Sequence, residues 1–248
     1  MSERAYKTDA FVLRGRNLGE ADRIFTLFTR ERGKLDAVAK GVRRIKSQNA
    51  GRLEFLTEAA LTLHAGRSLD VITGATILHS EWEALVEPRA FAAASVVAEL
   101  VDAFCEPGLA QDEIYELLQG AVHALASARR PADLLPRFEL RLLDVLGLLP
   151  SLDACVRCGA DLRNAAEAWL DPASGGLVCG RCHAGGEAGR LEGKEIENVR
   201  GLAAPKRAAP ATTSALPAVS RAVDALVTYH LGKRAKATAF LEELAQGR

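Results

Sequence analysis

Three observations predict an α+β chain in which a small β-barrel precedes helices that carry a cysteine-rich insert. Apolar residues recur with a period of two through roughly the first eighty residues, and with a period near 3.6 from Glu81 onward. Two C-x2-C pairs, Cys155–Cys158 and Cys179–Cys182, stand twenty residues apart within the second part. The zero net charge hides a division: residues 1–80 hold 14 Lys+Arg against 9 Asp+Glu, and residues 81–150 hold 5 against 12. A basic first part and an acidic middle point to an anionic partner for the first.

Taken in order, Ala10–Leu13 is a short apolar run and Arg23–Thr29 is rich in β-branched and aromatic residues. Lys34–Val42 alternates after Gly33, Leu56–His64 alternates before Ala65-Gly66, and Leu69–Leu78 is a fifth run, with Gly74 marking a bulge or a close backbone approach. Five strands in eighty residues predict a closed barrel, with an OB-fold the five-stranded candidate and an SH3-like barrel the alternative. Between the third and fourth strands lies Lys40-Gly-Val-Arg-Arg-Ile-Lys46, read as a mobile cationic loop. With Arg14, Arg16 and Lys34 at the strand ends, Lys40, Arg43, Arg44 and Lys46 form a basic groove suited to a phosphate backbone. A solvated surface loop is the plainer reading of any one of these lysines. Tyr6, Phe11, Phe25, Phe28 and Phe55 are the aromatics at hand, and several belong to the core. Charge is therefore expected to dominate over base stacking.

From Glu81 the stripes are helical. Pro88 opens one helix, Asp112 is placed to cap the next, and Pro131 opens a third that ends near Gly147 and Pro150. Leu191–Leu202 forms a short helix, Ala203–Ala218 with its three prolines a linker, and Val219–Leu231 and Ala235–Leu244 closing helices that return to the earlier three. The expected division is residues 1–80 for the barrel, 81–150 and 191–248 for two parts of a helical bundle, and 151–190 for the insert. Cys105 sits on an apolar helical face and reads as a buried thiol.

Each C-x2-C turns two thiolates toward one point, and together they supply four soft ligands for one structural Zn2+ in a closed tetrahedron. Disulfides are rare in a chain of intracellular character, and two pairs in one loop-rich segment fit a metal better than a redox couple. Iron in the same cage stays open, because ligand type alone does not choose the metal. His183 follows Cys182 and is surplus to a four-thiolate site. The insert holds four basic and five acidic residues, a balance that argues for a fold staple rather than a phosphate grip.

No catalytic signature is present. Ala188-Gly-Arg-Leu-Glu-Gly-Lys194 departs from a phosphate loop at both ends, and H-E-x-x-H and G-x-S-x-G motifs are missing. His64, His79, His123 and His230 lie in unrelated contexts and read as structural or exposed. A non-enzymatic binding protein is expected. No apolar run reaches membrane-spanning length and the start lacks a secretory h-region, so the cytoplasm is expected and a membrane partner is not.

The ordered set of stretches carries a resemblance. Thr8-Asp-Ala-Phe-Val-Leu-Arg14, Gly19-Glu-Ala-Asp-Arg-Ile24, Phe28-Thr-Arg-Glu-Arg-Gly-Lys34, Ala39-Lys-Gly-Val-Arg-Arg44 and Phe138-Glu-Leu-Arg-Leu-Leu143 are followed by Gly147 to Pro150 running into Cys155-Val-Arg-Cys-Gly159. With Gly175-Gly176 ahead of Cys179 and Tyr229 through Leu241, the sequence resembles the bacterial recombination and repair family RecO along nearly its whole length. The resemblance implies an N-terminal five-stranded OB-fold β-barrel and an α-helical bundle with an inserted four-cysteine zinc module (Cys155, Cys158, Cys179, Cys182). It implies binding of single- and double-stranded DNA, strand annealing, and partnership with RecR to load RecA onto DNA coated by single-strand-binding protein, at the nucleoid and without catalysis. The coat protein's acidic tail is expected on the helical domain, with Arg137 and Arg141 as weak candidates for it. Ala237 departs from the family pattern, which places Ser after the lysine. The rival readings are a zinc-ribbon factor of transcription or translation, in which the metal module itself touches nucleic acid, and a metal-dependent hydrolase, which four thiolates would leave without an open position.

Overall fold

Side-chain alternation decides the barrel. The computed structural model describes residues 5–186, 188–205 and 216–245. Its first five strands are β1 (Ala5–Leu18), β2 (Asp22–Thr29), β3 (Gly33–Ala39), β4 (Glu58–His64) and β5 (Asp70–His79). They hydrogen-bond in the ring order β1-β2-β3-β5-β4, closing back on β1, which is the OB order. Every pairing is antiparallel except β3–β5, a seam of two parallel pairs, Ala37–Asp70 and Val38–Val71. β1 is long enough to serve two partners, with Ala5–Phe11 on β4 and Ala10–Leu18 on β2. An extra residue, Leu13, makes a bulge between them that bends the strand. The interior takes alternate residues: Ala10 and Val12, Phe25 and Leu27, Ala37 and Ala39, and Ala59, Leu61 and Leu63. Small and large side chains together fill a bore this narrow. The bulge expected at Gly74 falls beside it, at Thr73, since Thr62 faces Gly74 and Leu63 faces Ile72.

The chain divides into two compact units, with boundaries between Arg129 and Arg130 and between Thr238 and Ala239. In the first, α1 (Trp82–Leu85), α2 (Pro88–Phe104) and α3 (Asp112–Ser127) accompany the barrel. Phe11 and Phe28 are buried on its outside and meet the ring of Tyr115 on α3, at centroid distances of 5.1 and 6.2 Å. The Tyr115 hydroxyl donates to the buried Glu58 carboxylate at 2.9 Å, and Gln119 donates to it at 3.0 Å. Pro88 opens α2 as expected, with Glu87 accepting from the Ala90 N–H. At α3 the N-cap is Gln111 rather than Asp112. Asp112 lies instead in the first turn, where its charge answers the helix dipole.

The second unit begins with a 3-10 turn at Pro131–Leu134 that leads into α4 (Leu135–Val145). It then builds a small sheet, β6 (Glu167–Asp171), β7 (Gly176–Val178) and β8 (Arg190–Glu192), in the order β7-β6-β8. The helices α5 (Gly193–Ala203) and α6 (Pro217–Leu231) pack on α4 and on each other. So α6 returns to α4 as expected, while α2 and α3 group with the barrel. α5 starts with a reciprocal capping box of Glu192 and Glu195. A last helix, α7 (Lys236–Ala245), follows. Residues 206–215 of the expected linker lie outside the described residues. Among the described residues, no helix is long and apolar enough to cross a membrane.

Candidate metal centre and basic surface

The loop after α4 is drawn to the β6–β7 hairpin by backbone bonds: Ser151 donates to Gly175 O, and Leu177 donates to Ser151 O. A Cβ on Gly176 would stand 2.5 Å from the Ser151 oxygen, so only glycine lets the two strands meet there. The first knuckle then folds on itself, with Cys155 N–H on Ala160 O and Gly159 N–H on Cys155 O. The second does the same, with the N–H groups of Cys182 and His183 both on Cys179 O.

This brings Cys155, Cys158, Cys179 and Cys182 together, with all four Sγ atoms within 4.8 Å of one another. Cys158 Sγ and Cys179 Sγ are 3.7 Å apart. That is too long for a disulfide of about 2.05 Å. It matches the roughly 3.8 Å edge of a tetrahedron with metal–sulfur bonds of about 2.3 Å. Burial opposes ionisation of Cys155, but N–H donors from Cys179, Arg157 and Cys158 outweigh it and bring the thiol down to about 6. The four thiols could hold a metal ion. His183 is not among them: its ring stacks on Trp169 at 4.5 Å and its Nε2 meets Gly186 O at 3.0 Å.

Three of the four arginines of the module are spent inside it, and Arg181, between Cys179 and Cys182, is exposed. Arg157, between the first two cysteines, bonds Cys182 O at 2.9 Å and pairs with Asp171 at 3.1 Å, tying one knuckle to the other. Arg163 pairs with Asp161, and Arg190 with Glu167. From α5, Arg200 gathers the carbonyls of Leu152, Leu162 and Arg163 and an ion pair with Asp153 at 3.1 Å. Sequence reasoning missed Arg200, because its partners lie 37 to 48 residues away and nothing local announces them.

The expected basic groove separates into groups. Lys34 is only 16% exposed and points to α2, where it meets the carboxylate of Asp102 at 3.3 Å and also its backbone carbonyl. Arg14 joins the same carboxylate at 3.0 Å. Arg43 reaches the β1–β2 turn, donating to Gly19 O and Glu20 O, while its own N–H donates to Ala21 O. With Gly41 N–H on the Asp22 carboxylate, and Val42, Leu53 and Leu56 buried, the loop expected to be mobile is anchored at both ends. Arg16, Lys40, Arg44 and Lys46 are exposed, and among the described residues no ion pair engages them. Register sets two of them at one end of the barrel: Arg16 pairs with Ile24, Ile24 with Val38, and Lys40 follows two residues on, while Arg44 and Lys46 lie in the loop that follows.

The aromatic side chains expected to be at hand for stacking are already engaged. Phe11, Phe25 and Phe28 are buried, Phe55 packs on Phe91 at 5.3 Å, and Arg32 covers Tyr6 at 3.9 Å. On α4, Arg137 and Arg141 are half-buried. Arg137 donates to the carbonyls of Gly201 and Leu202 at the end of α5, where a cation suits the helix dipole, and Arg141 pairs with Asp144.

A closed barrel of OB order with exposed cations, carried in one chain with a second unit of helices and four convergent thiols, defines a class: OB-barrel proteins whose helical unit carries a cysteine module. The particular family follows from comparison. Residues 1–81 match the family model for the N terminal of Recombination protein O, and residues 86–239 match that for its C terminal. The chain is 37% identical to the "DNA repair protein RecO" of a Nocardioides species, over 96% of this chain and 99% of that one. It is 34% identical to the protein of the same description from Symbiobacterium thermophilum, over 98% and 99%. A third, from Bifidobacterium adolescentis, is 41% identical over 72% and 74%. The chain belongs to the RecO family.

Proposed function

We propose that the chain is a non-enzymatic recombination mediator of DNA repair, working in the cytoplasm at the nucleoid. It binds single- and double-stranded DNA, lowers the repulsion between two strands so that they anneal, and with RecR helps load RecA onto DNA coated by single-strand-binding protein. One observation carries this reading beyond family membership: Arg16, Lys40, Arg44 and Lys46 are exposed in the barrel's unit, and among the described residues no ion pair engages them. Exposed, unpaired cations neutralise phosphates and release their counterions. Arg14, Lys34 and Arg43 complete the site in supporting roles, holding α2 and the β1–β2 turn in place beside it. Arg137 and Arg141 remain the proposed, weaker contacts for the coat protein's tail.

One Zn2+ is proposed for the four thiols, where it supplies a closed, tetrahedral cross-link. Cys155 and Cys158 hold it from one knuckle, Cys179 and Cys182 from the other. Arg157 keeps the two knuckles together, and Arg200 holds them to α5.

The test is single-stranded DNA affinity against salt for the natural chain and for Lys40→Ala/Arg44→Ala/Lys46→Ala. Each phosphate that is no longer neutralised should lower the log–log salt slope by about 0.7, so the triple variant should show a slope smaller by about two units and an affinity at least tenfold weaker. An unchanged slope would move the DNA site elsewhere.

A further inference from the structure

Two histidines with nothing to connect them in the sequence are brought to one carboxylate by the fold. His79 closes β5, Glu81 is the N-cap of α1, and His123 lies late in α3. His79 Nε2 stands 2.9 Å from Glu81 Oε1, and His123 Nδ1 stands 3.0 Å from the same oxygen. The two rings are tilted at 56° with centroids 6.3 Å apart, so they flank the carboxylate rather than stack on each other. All three candidate ligand atoms lie within 4.8 Å of one another.

We propose that His79, Glu81 and His123 form a second metal site, distinct from the four thiols, that takes a divalent first-row transition ion such as Zn2+, Ni2+ or Co2+. A tetrahedral ion with bonds of about 2.0–2.1 Å spaces its ligand atoms about 3.3 Å apart. The two nitrogen–oxygen spacings, 2.9 and 3.0 Å, need to open by only a few tenths of an ångström, and the two nitrogens already lie within 4.8 Å of each other. Two imidazoles and one carboxylate suit these ions, whereas Mg2+ and Ca2+ favour oxygen donors throughout. The side chains of His79 and His123 are 48% and 73% exposed, which leaves the remaining coordination position to water.

The plainer reading is a carboxylate that accepts two N–H bonds, with the protons on His79 Nε2 and His123 Nδ1. Metal binding requires the other tautomer of each neutral ring, with protons on His79 Nδ1 and His123 Nε2 and no net change in proton count. Among the described residues no protein group engages those second nitrogens, so the exchange breaks no other bond. An ion here would join the end of the barrel's last strand to α1 and α3 within the first compact unit, while the thiols belong to the second. The two sites therefore report separately.

The test uses the untagged full chain, loaded with one equivalent of Zn2+ and then titrated with Co2+. One further equivalent should bind, with the weak visible bands of nitrogen- and oxygen-ligated cobalt and no sulfur-to-cobalt charge transfer. It should raise the thermal midpoint, and Mg2+ should not. His79→Ala and His123→Ala should each weaken the second equivalent at least tenfold. Glu81→Gln, which keeps both rings and a neutral acceptor, should weaken it without loss of fold. The proposal fails if no second equivalent saturates, if its bands show sulfur ligation, or if folded Glu81→Gln and the histidine variants bind as the natural chain does.

Discussion

On α4, Glu139 is 6% exposed, and burial, aided by the negative charge of Asp224 on α6, pushes its carboxyl up to about 8. Its ordinary value is 4.5. Between the two the folded chain keeps a proton that the unfolded chain has released, so stability falls as pH rises through that window and levels off above it. The effect is of order a few kcal/mol. Glu139→Gln keeps the shape and cannot ionise. Urea midpoints should fall less between about pH 5 and about pH 8 for the variant, which should be the more stable by about 2 kcal/mol at the upper end. Parallel pH profiles would show that the Glu139 carboxyl is not raised in the folded chain. Asp102 is the second decisive carboxylate. Counting cations along the chain puts Lys34 and Arg14 in the groove, but an acid 68 residues beyond Lys34 holds both. Sequence counts charge well; it does not show which charges already have partners.

Among the elements, the strap between α2 and α3 depends on one glycine. Gly108 N–H donates to Lys34 O at 3.0 Å, and Pro107 bridges to Lys34, so the strap runs against the start of β3. Gly33 stands there with φ +62°, and a Cβ on it would lie 1.9 Å from the Leu109 carbonyl oxygen. Gly33→Ala therefore meets both a backbone penalty of about 1–2 kcal/mol and a collision with main chain that cannot rotate away. A loss of at least about 2 kcal/mol is expected in denaturant melts, and an unchanged midpoint would mean that the strap does not pack as described. The strands themselves were legible because each has one face in the bore. β1 runs further than its apolar core of Ala10–Leu13 because Lys7, Asp9, Arg14 and Arg16 occupy paired positions that carry no hydrophobic signal. The apolar stripes of α2, α3 and α4 were equally legible, and none of them says what it packs against. Tyr115 and Phe28 join α3 to the barrel, a pairing that only the fold reveals. The four thiols were readable because ligand spacing is local, and Arg200 was not because its partners are long-range.

At the scale of the whole chain, the cations and the thiols fall in different compact units. The second unit's sheet has strands of only 5, 3 and 3 residues, too little to hold itself closed by apolar burial. The proposed metal would add a cross-link to it, while Arg157, Arg163 and Arg190 are tied to neighbouring acids. Removing the metal with a chelator, or replacing Cys155 and Cys158 by serine, should open residues 151–190 to proteolysis. Single-stranded DNA affinity should stay within about twofold, because Arg16, Lys40, Arg44 and Lys46, the cations proposed to neutralise phosphates, belong to the other unit. A zinc-ribbon factor behaves in the opposite way, since there the module itself grips the nucleic acid and its collapse takes the affinity with it. A drop of tenfold or more on metal removal, with the barrel still folded by circular dichroism, would assign nucleic-acid binding to the cysteine module.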